Sequence, residues 1–192
     1  MILLTPNQKL RAMTANRDYW KALALHYKTL PRLPGRFIFP PKVERWRGLV
    51  VYCFDIYCQQ TFGSGTTASD YDVDMGLGII KGESGGDHLA ICHVEWVGPP
   101  PPGYDGTPAT RATGLCQHVP AYWVGRSTAA LGHVGNILDP VDQLLVMAYL
   151  VYHNAAKAPN WGHWPDAPNG AHGSATKARE LLAPFYAGSE RT

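Results

Sequence analysis

The chain has 192 residues, 45% hydrophobic and 17% charged, with 17 lysine and arginine against 15 aspartate and glutamate residues and a net charge of +2 at neutral pH. That length suits one domain with its own core, and so small a charge excess gives no broad basic footprint, which excludes nucleic acid as an expected partner. The four cysteines, Cys53, Cys58, Cys92 and Cys116, lie in unlike surroundings without a regular framework and are expected to be reduced.

The N-terminus runs from Met1 to Leu4 into a polar Thr5-to-Lys9 stretch, without the charged start and apolar run of a Sec-type signal. The chain is therefore expected to be made in the cytoplasm without such a signal. No membrane span is expected either, since the most apolar stretch, Gly48 to Cys58, is far short of the roughly 18 residues required and carries Asp55. Over residues 6–29, Leu10, Met13, Tyr19, Trp20, Leu23, Leu25 and Tyr27 predict one or two short helices. Pro31, Pro34, Pro40 and Pro41 then enforce an extended connector. This divides the chain into an N-terminal arm, 1–42, and a main body, 43–192.

In the body, Trp46, Leu49, Val50, Cys53, Phe54 and Tyr57 recur at three- and four-residue spacing and predict a helix over 43–62, ended by the Gly63-to-Thr67 run. A second helix is predicted over 70–83, where Val73, Leu77 and Ile80 form a stripe that Glu83 continues at the edge of the core. Gly76, Gly78 and Gly82 each cost that helix about 1 kcal/mol relative to alanine, so they are expected to allow a close approach. Between Cys92 and Ala112, Gly98, Pro99 to Pro102, Gly103 and Gly106 predict a long irregular or β-containing excursion of the kind that shapes a site. Pro120 fits a first helical position, and Asp139-Pro140 with Asp142 fits an N-cap, a first-position proline and an acidic first turn. The helix that follows is expected to reach about His153 and to bury Val141, Leu144, Leu145, Ala148 and Tyr152, with Tyr149 alongside. Ser174 is expected to cap a last helix that Pro184 interrupts. The sum is a mainly α, formally α+β, single domain with no internal repeat.

Three segments carry the chemistry: Glu83-Ser84-Gly85-Gly86-Asp87 with Ala90-Ile91, then Ala112-Thr113-Gly114-Leu115-Cys116-Gln117, then Ala148-Tyr149-Leu150. In that order, and on those elements, they resemble the lytic transglycosylase and goose-type lysozyme superfamily over about residues 70–165. The resemblance implies a lysozyme-like fold that cleaves peptidoglycan glycan strands with Glu83 as general acid and no cofactor or metal. It further implies that Ser84, Gly114, Leu115, Cys116 and Gln117 line the sugar cleft and that Tyr149 holds Glu83. Cys116 stands where the family usually has methionine, and Cys92 where asparagine often follows Ala-Ile. Glu95 and Asp105 lie roughly where goose-type enzymes carry a water-activating acid, as hydrolysis requires. A lytic transglycosylase works with one carboxyl and closes the sugar to an anhydro product. Both outcomes stay open.

The residue types suit the reaction on their own account, because a partly desolvated carboxyl at the end of an apolar stripe stays protonated nearer to neutral pH. Trp96, Tyr104, Tyr122, Trp123, Trp161 and Trp164 are candidate platforms for sugar rings, Trp123 and Trp161 foremost, set against core packing as the commoner fate of such aromatics. One alternative is a catalytically silent lysozyme-like module that binds wall or builds a phage particle. Another is an amidase, with zinc among His88, Cys92, His93, Cys116 and His118, or with a Cys116 nucleophile served by His118 or His133; neither set has regular motif spacing. The lack of an export signal fits a phage lysin or a virion-borne enzyme acting at the bacterial wall, with residues 1–42 docking to a phage tail or virion partner.

Overall fold

The computed structural model describes residues 37–92, 111–153, 155, 159–164 and 173–186. The N-terminal arm up to residue 36 and the 93–110 stretch, with His93, Glu95, Trp96, Tyr104 and Asp105, lie outside the described residues. Phe37 to Thr192 belong to one compact unit. Its helices are α1 (Pro41–Glu44), α2 (Arg47–Phe62), α3 (Asp70–Glu83), α4 (Pro120–Leu131), α5 (Pro140–Tyr152) and α6 (Ser174–Tyr186). The unit is mainly helical, as expected, and β structure among the described residues amounts to the isolated bridges Ile91–Thr113 and Thr113–His118.

The body begins earlier than the boundary at Val43. Phe39 and Val43 are both buried, and the Phe37 ring meets Phe39 at 4.7 Å and Phe185 of α6 at 5.1 Å. Residues 37–42, expected in the arm, thus belong to the same compact unit as the body, with Phe39 in its core. The continuous helix expected over 43–62 is also corrected, because the chain tightens at Arg45–Trp46. There the Trp46 N–H donates to the Val43 carbonyl, three residues back, at 3.0 Å. The tightened turn leaves the Trp46 indole N–H donating to the Gly86 carbonyl at 2.9 Å. Beyond it the stripe holds, with Val50, Cys53, Phe54 and Tyr57 buried and Trp46 and Leu49 half-buried.

Helix α3 starts where a capping box dictates. The Ser69 hydroxyl accepts from the Asp72 N–H at 3.1 Å while the Asp72 carboxylate accepts from the Ser69 N–H at 3.3 Å. From Asp72 to Ile80 every residue is buried, a wider surface than the expected stripe, because α2 and α6 cover different sides of the helix. The glycines make this close approach. A Cβ at Gly76 would lie 2.9 Å from the Phe54 ring of α2, and one at Gly78 would lie 2.6 Å from the Ala178 Cβ of α6.

A buried ion network ties the same elements together. Arg47, only 4% exposed, donates through Nε to Glu44 Oε1 and through Nη1 to Asp74 Oδ1, both at 2.5 Å, and through Nη2 to the Phe37 carbonyl at 3.3 Å. The Tyr186 hydroxyl donates to Asp74 Oδ2 at 2.6 Å. Burial alone would lower the Arg47 pKa, but the Glu44 and Asp74 carboxylates outweigh it and raise it.

Helix α5 has the expected cap, with Asp139 Oδ1 accepting from the Val141 N–H at 2.7 Å and Pro140 in the first turn. Its buried set is broader than expected: Gln143, Val146, Met147, Leu150 and Val151 join Leu144, Ala148 and Tyr152, while Val141 and Leu145 are half-buried. Contact with both α2 and α4 is the reason. In α6 two expectations are corrected. The Gly173 carbonyl accepts the Lys177 N–H at 3.0 Å, which makes Ser174 the first helical residue and Gly173 its cap position. Pro184 does not interrupt the helix, which runs on to Tyr186. Pro184 is exposed, on the solvent side of the helix.

Candidate functional site

Glu83 is the last residue of α3 and is half-buried. Its backbone is fixed from two sides. The Ser84 N–H donates to the Ile80 carbonyl at 3.1 Å, and the Ser84 hydroxyl donates to the Leu115 carbonyl at 2.7 Å while accepting from the Gly86 N–H at 3.2 Å. The Gly86 carbonyl in turn accepts from Arg45 Nη2 and Trp46 Nε1, each at 2.9 Å. Burial raises the Glu83 pKa, and the Ser174 hydroxyl and the Lys177 ammonium, both in the first turn of α6, oppose it in part.

The turn over residues 114–117 packs beside this helix end. The Gly114 N–H donates to the Ala90 carbonyl at 2.7 Å, and the Gln117 amide donates to the carbonyls of Ala90 at 3.1 Å and Gly114 at 2.8 Å. Gly114 has φ of 82°, and a Cβ there would sit 2.8 Å from the Ile137 carbonyl oxygen and inside the Gln143 side chain, so only glycine fits. Gln143, fully buried on α5, accepts from the Cys116 N–H at 2.8 Å and donates to the Ile137 carbonyl. The Cys92 N–H donates to the Ala112 carbonyl at 2.8 Å, so both ends of the 93–110 stretch are tied at one place.

The expected cleft residues are therefore brought to Glu83, but mostly with their side chains inward. Leu115 and Cys116 are fully buried, and the Ser84 hydroxyl is engaged by backbone, so these three build the wall behind Glu83 instead of presenting side chains to a ligand. Gln117 remains half-buried with its amide engaged. Trp123 and Trp161, expected as sugar platforms, are 4% and 6% exposed. The Trp123 indole donates to the Gly135 carbonyl at 2.7 Å, and Trp161 packs on Phe54 at 5.9 Å. Both are core residues, as is Trp164, whose indole donates to the Cys116 carbonyl at 3.3 Å. Tyr122 is the exposed one of the described candidates, with the Arg126 guanidinium 5.2 Å over its ring.

Tyr149 does not hold Glu83 among the described residues. It stacks on His153 at 4.3 Å and meets Tyr57 of α2 edge-on at 5.8 Å. At about 3.6 residues per turn it falls on the far side of α5 from Gln143 and Met147, the residues that reach the turn at Cys116. The groups on Glu83 that the sequence reading missed are Ser174 and Lys177. Only the fold brings them there, and no local pattern announces a pairing across so many residues.

The thiol and zinc chemistry is poorly served. Burial, with the nearby Glu83 charge adding to it, raises the Cys116 pKa far above that of a free thiol, and the sulfur rests 3.6 Å from the Met147 sulfur. A thiol kept protonated in this way is not a nucleophile. Burial lowers the His118 pKa to about 4, and its Nε2–H donates to the Gln143 carbonyl at 3.3 Å. Among the described residues no three of the His, Cys, Asp and Glu side chains gather as metal ligands. No helix among them is long and apolar enough to cross a membrane. No family model matches the chain, and no curated protein and no solved structure matches it.

Proposed function

We propose that this chain cleaves the glycan strands of peptidoglycan with Glu83 as general acid, acting at the bacterial wall as a released lysin or as part of a virion. The supporting observation is a desolvated carboxyl at a helix terminus, shifted toward its protonated form and held on a backbone pinned from both sides. A general acid for a glycosidic oxygen needs that combination, because it must keep its proton near neutral pH and meet the bond in one orientation. The ordered likeness of the Glu83, Gly114-to-Gln117 and Tyr149 segments to lytic transglycosylases names the polymer. One carboxyl suffices for an anhydro product; hydrolysis would draw on Glu95 or Asp105.

The experiment is Glu83→Gln in the full chain, assayed by clearing of purified peptidoglycan with mass spectrometry of the soluble fragments. Wild type releases muropeptides, whose mass distinguishes anhydro from reducing ends, and the variant loses roughly 100-fold or more of the rate. The variant is also expected to be more stable than wild type at pH 7. The folded-state pKa of Glu83 is raised, so the wild-type chain loses stability as pH rises through that value, and glutamine escapes the loss. Unchanged clearing by Glu83→Gln refutes the proposal.

A second reading, a catalytically silent structural or wall-binding module, is favoured by the altered cleft position at Cys116, a buried thiol where the resembled family usually has methionine. Such a module would sediment with insoluble peptidoglycan and release no soluble sugar.

A further inference from the structure

We propose that Arg126, braced on Tyr122 at the open face of α4, forms a subsite for a carboxylate of the wall strand; the identity of that ligand rests on the reading of the chain as acting on peptidoglycan. The half-buried Arg126 guanidinium lies 5.2 Å over the Tyr122 ring. Contact with the ring face fixes its place and leaves its charge uncancelled. Among the described residues the ion pairs are those of Arg47, and none reaches Arg126. Residues 118–138, which include all of α4, contain no aspartate or glutamate. Arg47 gives the contrast, since two carboxylates raise its pKa while burial lowers that of Arg126. A partly desolvated cation without a counterion is costly, and an anion bound beside it removes the cost. The charge is felt nearby as well, where it helps to lower the pKa values of His118 and His163.

The subsite lies on the element that continues from the wall beside Glu83. Helix α4 begins three residues after the turn over residues 114–117, and its Trp123 ring meets His118, the residue that follows the turn, at 5.2 Å. Arg126 stands about 9 Å along the helix axis from Pro120. Trp123 and Ser127 form the buried side of the helix. Tyr122, Gly125 and Arg126 fall at three- and four-residue spacing and share another face. A Cβ at Gly125 would meet nothing within 4 Å, so packing does not explain a residue that costs the helix about 1 kcal/mol relative to alanine. The backbone beside the guanidinium is therefore open to close approach. A guanidinium presents a planar fork that matches a carboxylate in two parallel hydrogen bonds. Peptidoglycan carries that group as the lactyl acid of its muramyl units and as the acids of its peptide stems.

The test is a titration of the full chain, labelled with 15N-arginine, in which the Nε–H resonance of Arg126 is assigned by its loss in Arg126→Gln. The probes are N-acetylglucosamine, which is neutral, N-acetylmuramic acid, whose carboxylate is lactyl, and muramyl dipeptide, whose carboxylate is on the peptide. At least one of the two acids should shift the resonance saturably while N-acetylglucosamine leaves it in place, and which acid does so names the source of the carboxylate. Read by calorimetry, that acid should bind Arg126→Gln roughly 10-fold or more weakly, and Arg126→Lys, which keeps the charge and loses the fork, should fall between. No shift with either acid, an equal shift with N-acetylglucosamine, or undiminished binding to Arg126→Gln overturns the subsite. A shift with inorganic phosphate and with neither acid shows an adventitious ion only, and overturns it too. None of these sugars has a bond to cut, so the subsite and the catalytic reading fail separately. Silent acids beside an inactive Glu83→Gln remove the subsite alone, whereas a saturable shift beside a Glu83→Gln that still clears wall removes the acid and keeps the subsite.

Discussion

Gly78→Ala adds one methyl group to the seam between α3 and α6. In an open helix the change would stabilise by about 1 kcal/mol through propensity alone. Here the new Cβ would lie 2.6 Å from the Ala178 Cβ and 3.3 Å from its Cα, and neither atom can swing aside because both are fixed to the α6 backbone. Overpacking of this kind costs about 1–3 kcal/mol, and a contact with no flexible end belongs at the upper part of that range. The expected net loss is about 1–2 kcal/mol, or roughly 2–4 °C in Tm for each kcal/mol in a chain of this size. Urea unfolding followed by far-ultraviolet circular dichroism measures it. The reciprocal variant, Ala178→Gly, loses about 1 kcal/mol in helix propensity and a further ~0.8 kcal/mol of buried methyl. Combining the two moves one methyl from α6 to α3 into nearly the same space. The double variant is therefore expected close to wild type, with a coupling energy of about 2 kcal/mol or more. Strict additivity, or a Gly78→Ala chain as stable as wild type, would refute the close-packing argument.

Arg47→Met leaves the fully buried Asp74 without its cationic partner and is expected to cost about 3–5 kcal/mol by denaturant midpoint at pH 7, while adding Asp74→Leu should recover much of it. A single-variant loss below about 0.5 kcal/mol would show the network to be a surface-grade interaction. For His118 the sign is fixed by the direction of its shift. The unfolded chain takes up a proton near the ordinary 6.5 while the folded chain resists until about 4, so stability falls as pH drops through that window, by on the order of 3 kcal/mol. His118→Gln, which keeps a donor for the Gln143 carbonyl, should flatten the pH dependence of the urea midpoint between pH 7 and 4.5; an unchanged slope would count against His118 as its source.

Local signals carried much of the fold into view before any coordinates. Asp139, Pro140 and Asp142 mark the start of α5 because caps act within one turn, and the cost of Gly76, Gly78 and Gly82 announces close packing on α3. What those glycines pack against was not legible, since Phe54 and Ala178 are brought to them by tertiary structure alone. Helical phase misleads where a helix is covered on more than one side. The stripe from Val73 to Ile80 conceals Asp74, whose place in the core depends on Arg47, and the α5 stripe conceals Gln143. The signal in both cases was a polar residue in an otherwise apolar neighbourhood. At the site, Glu83 and the turn over residues 114–117 are brought together as the segment order suggested. Tyr149 failed as its holder because a tyrosine beside a stripe can face either neighbour, and here it faces α2. Trp123 and Trp161 show that aromatic content cannot separate a platform from a core when the residues that bury it are distant in sequence.

The joining of Cys92 to Ala112 and of Ala90 to Gly114 and Gln117 bears on how such a chain can change over time. These bonds are made by residues on either side of the 93–110 insert. Lengthening that insert raises the entropy of closure only logarithmically. The insert can thus be lengthened or exchanged with the bonds between its flanking residues left as they stand.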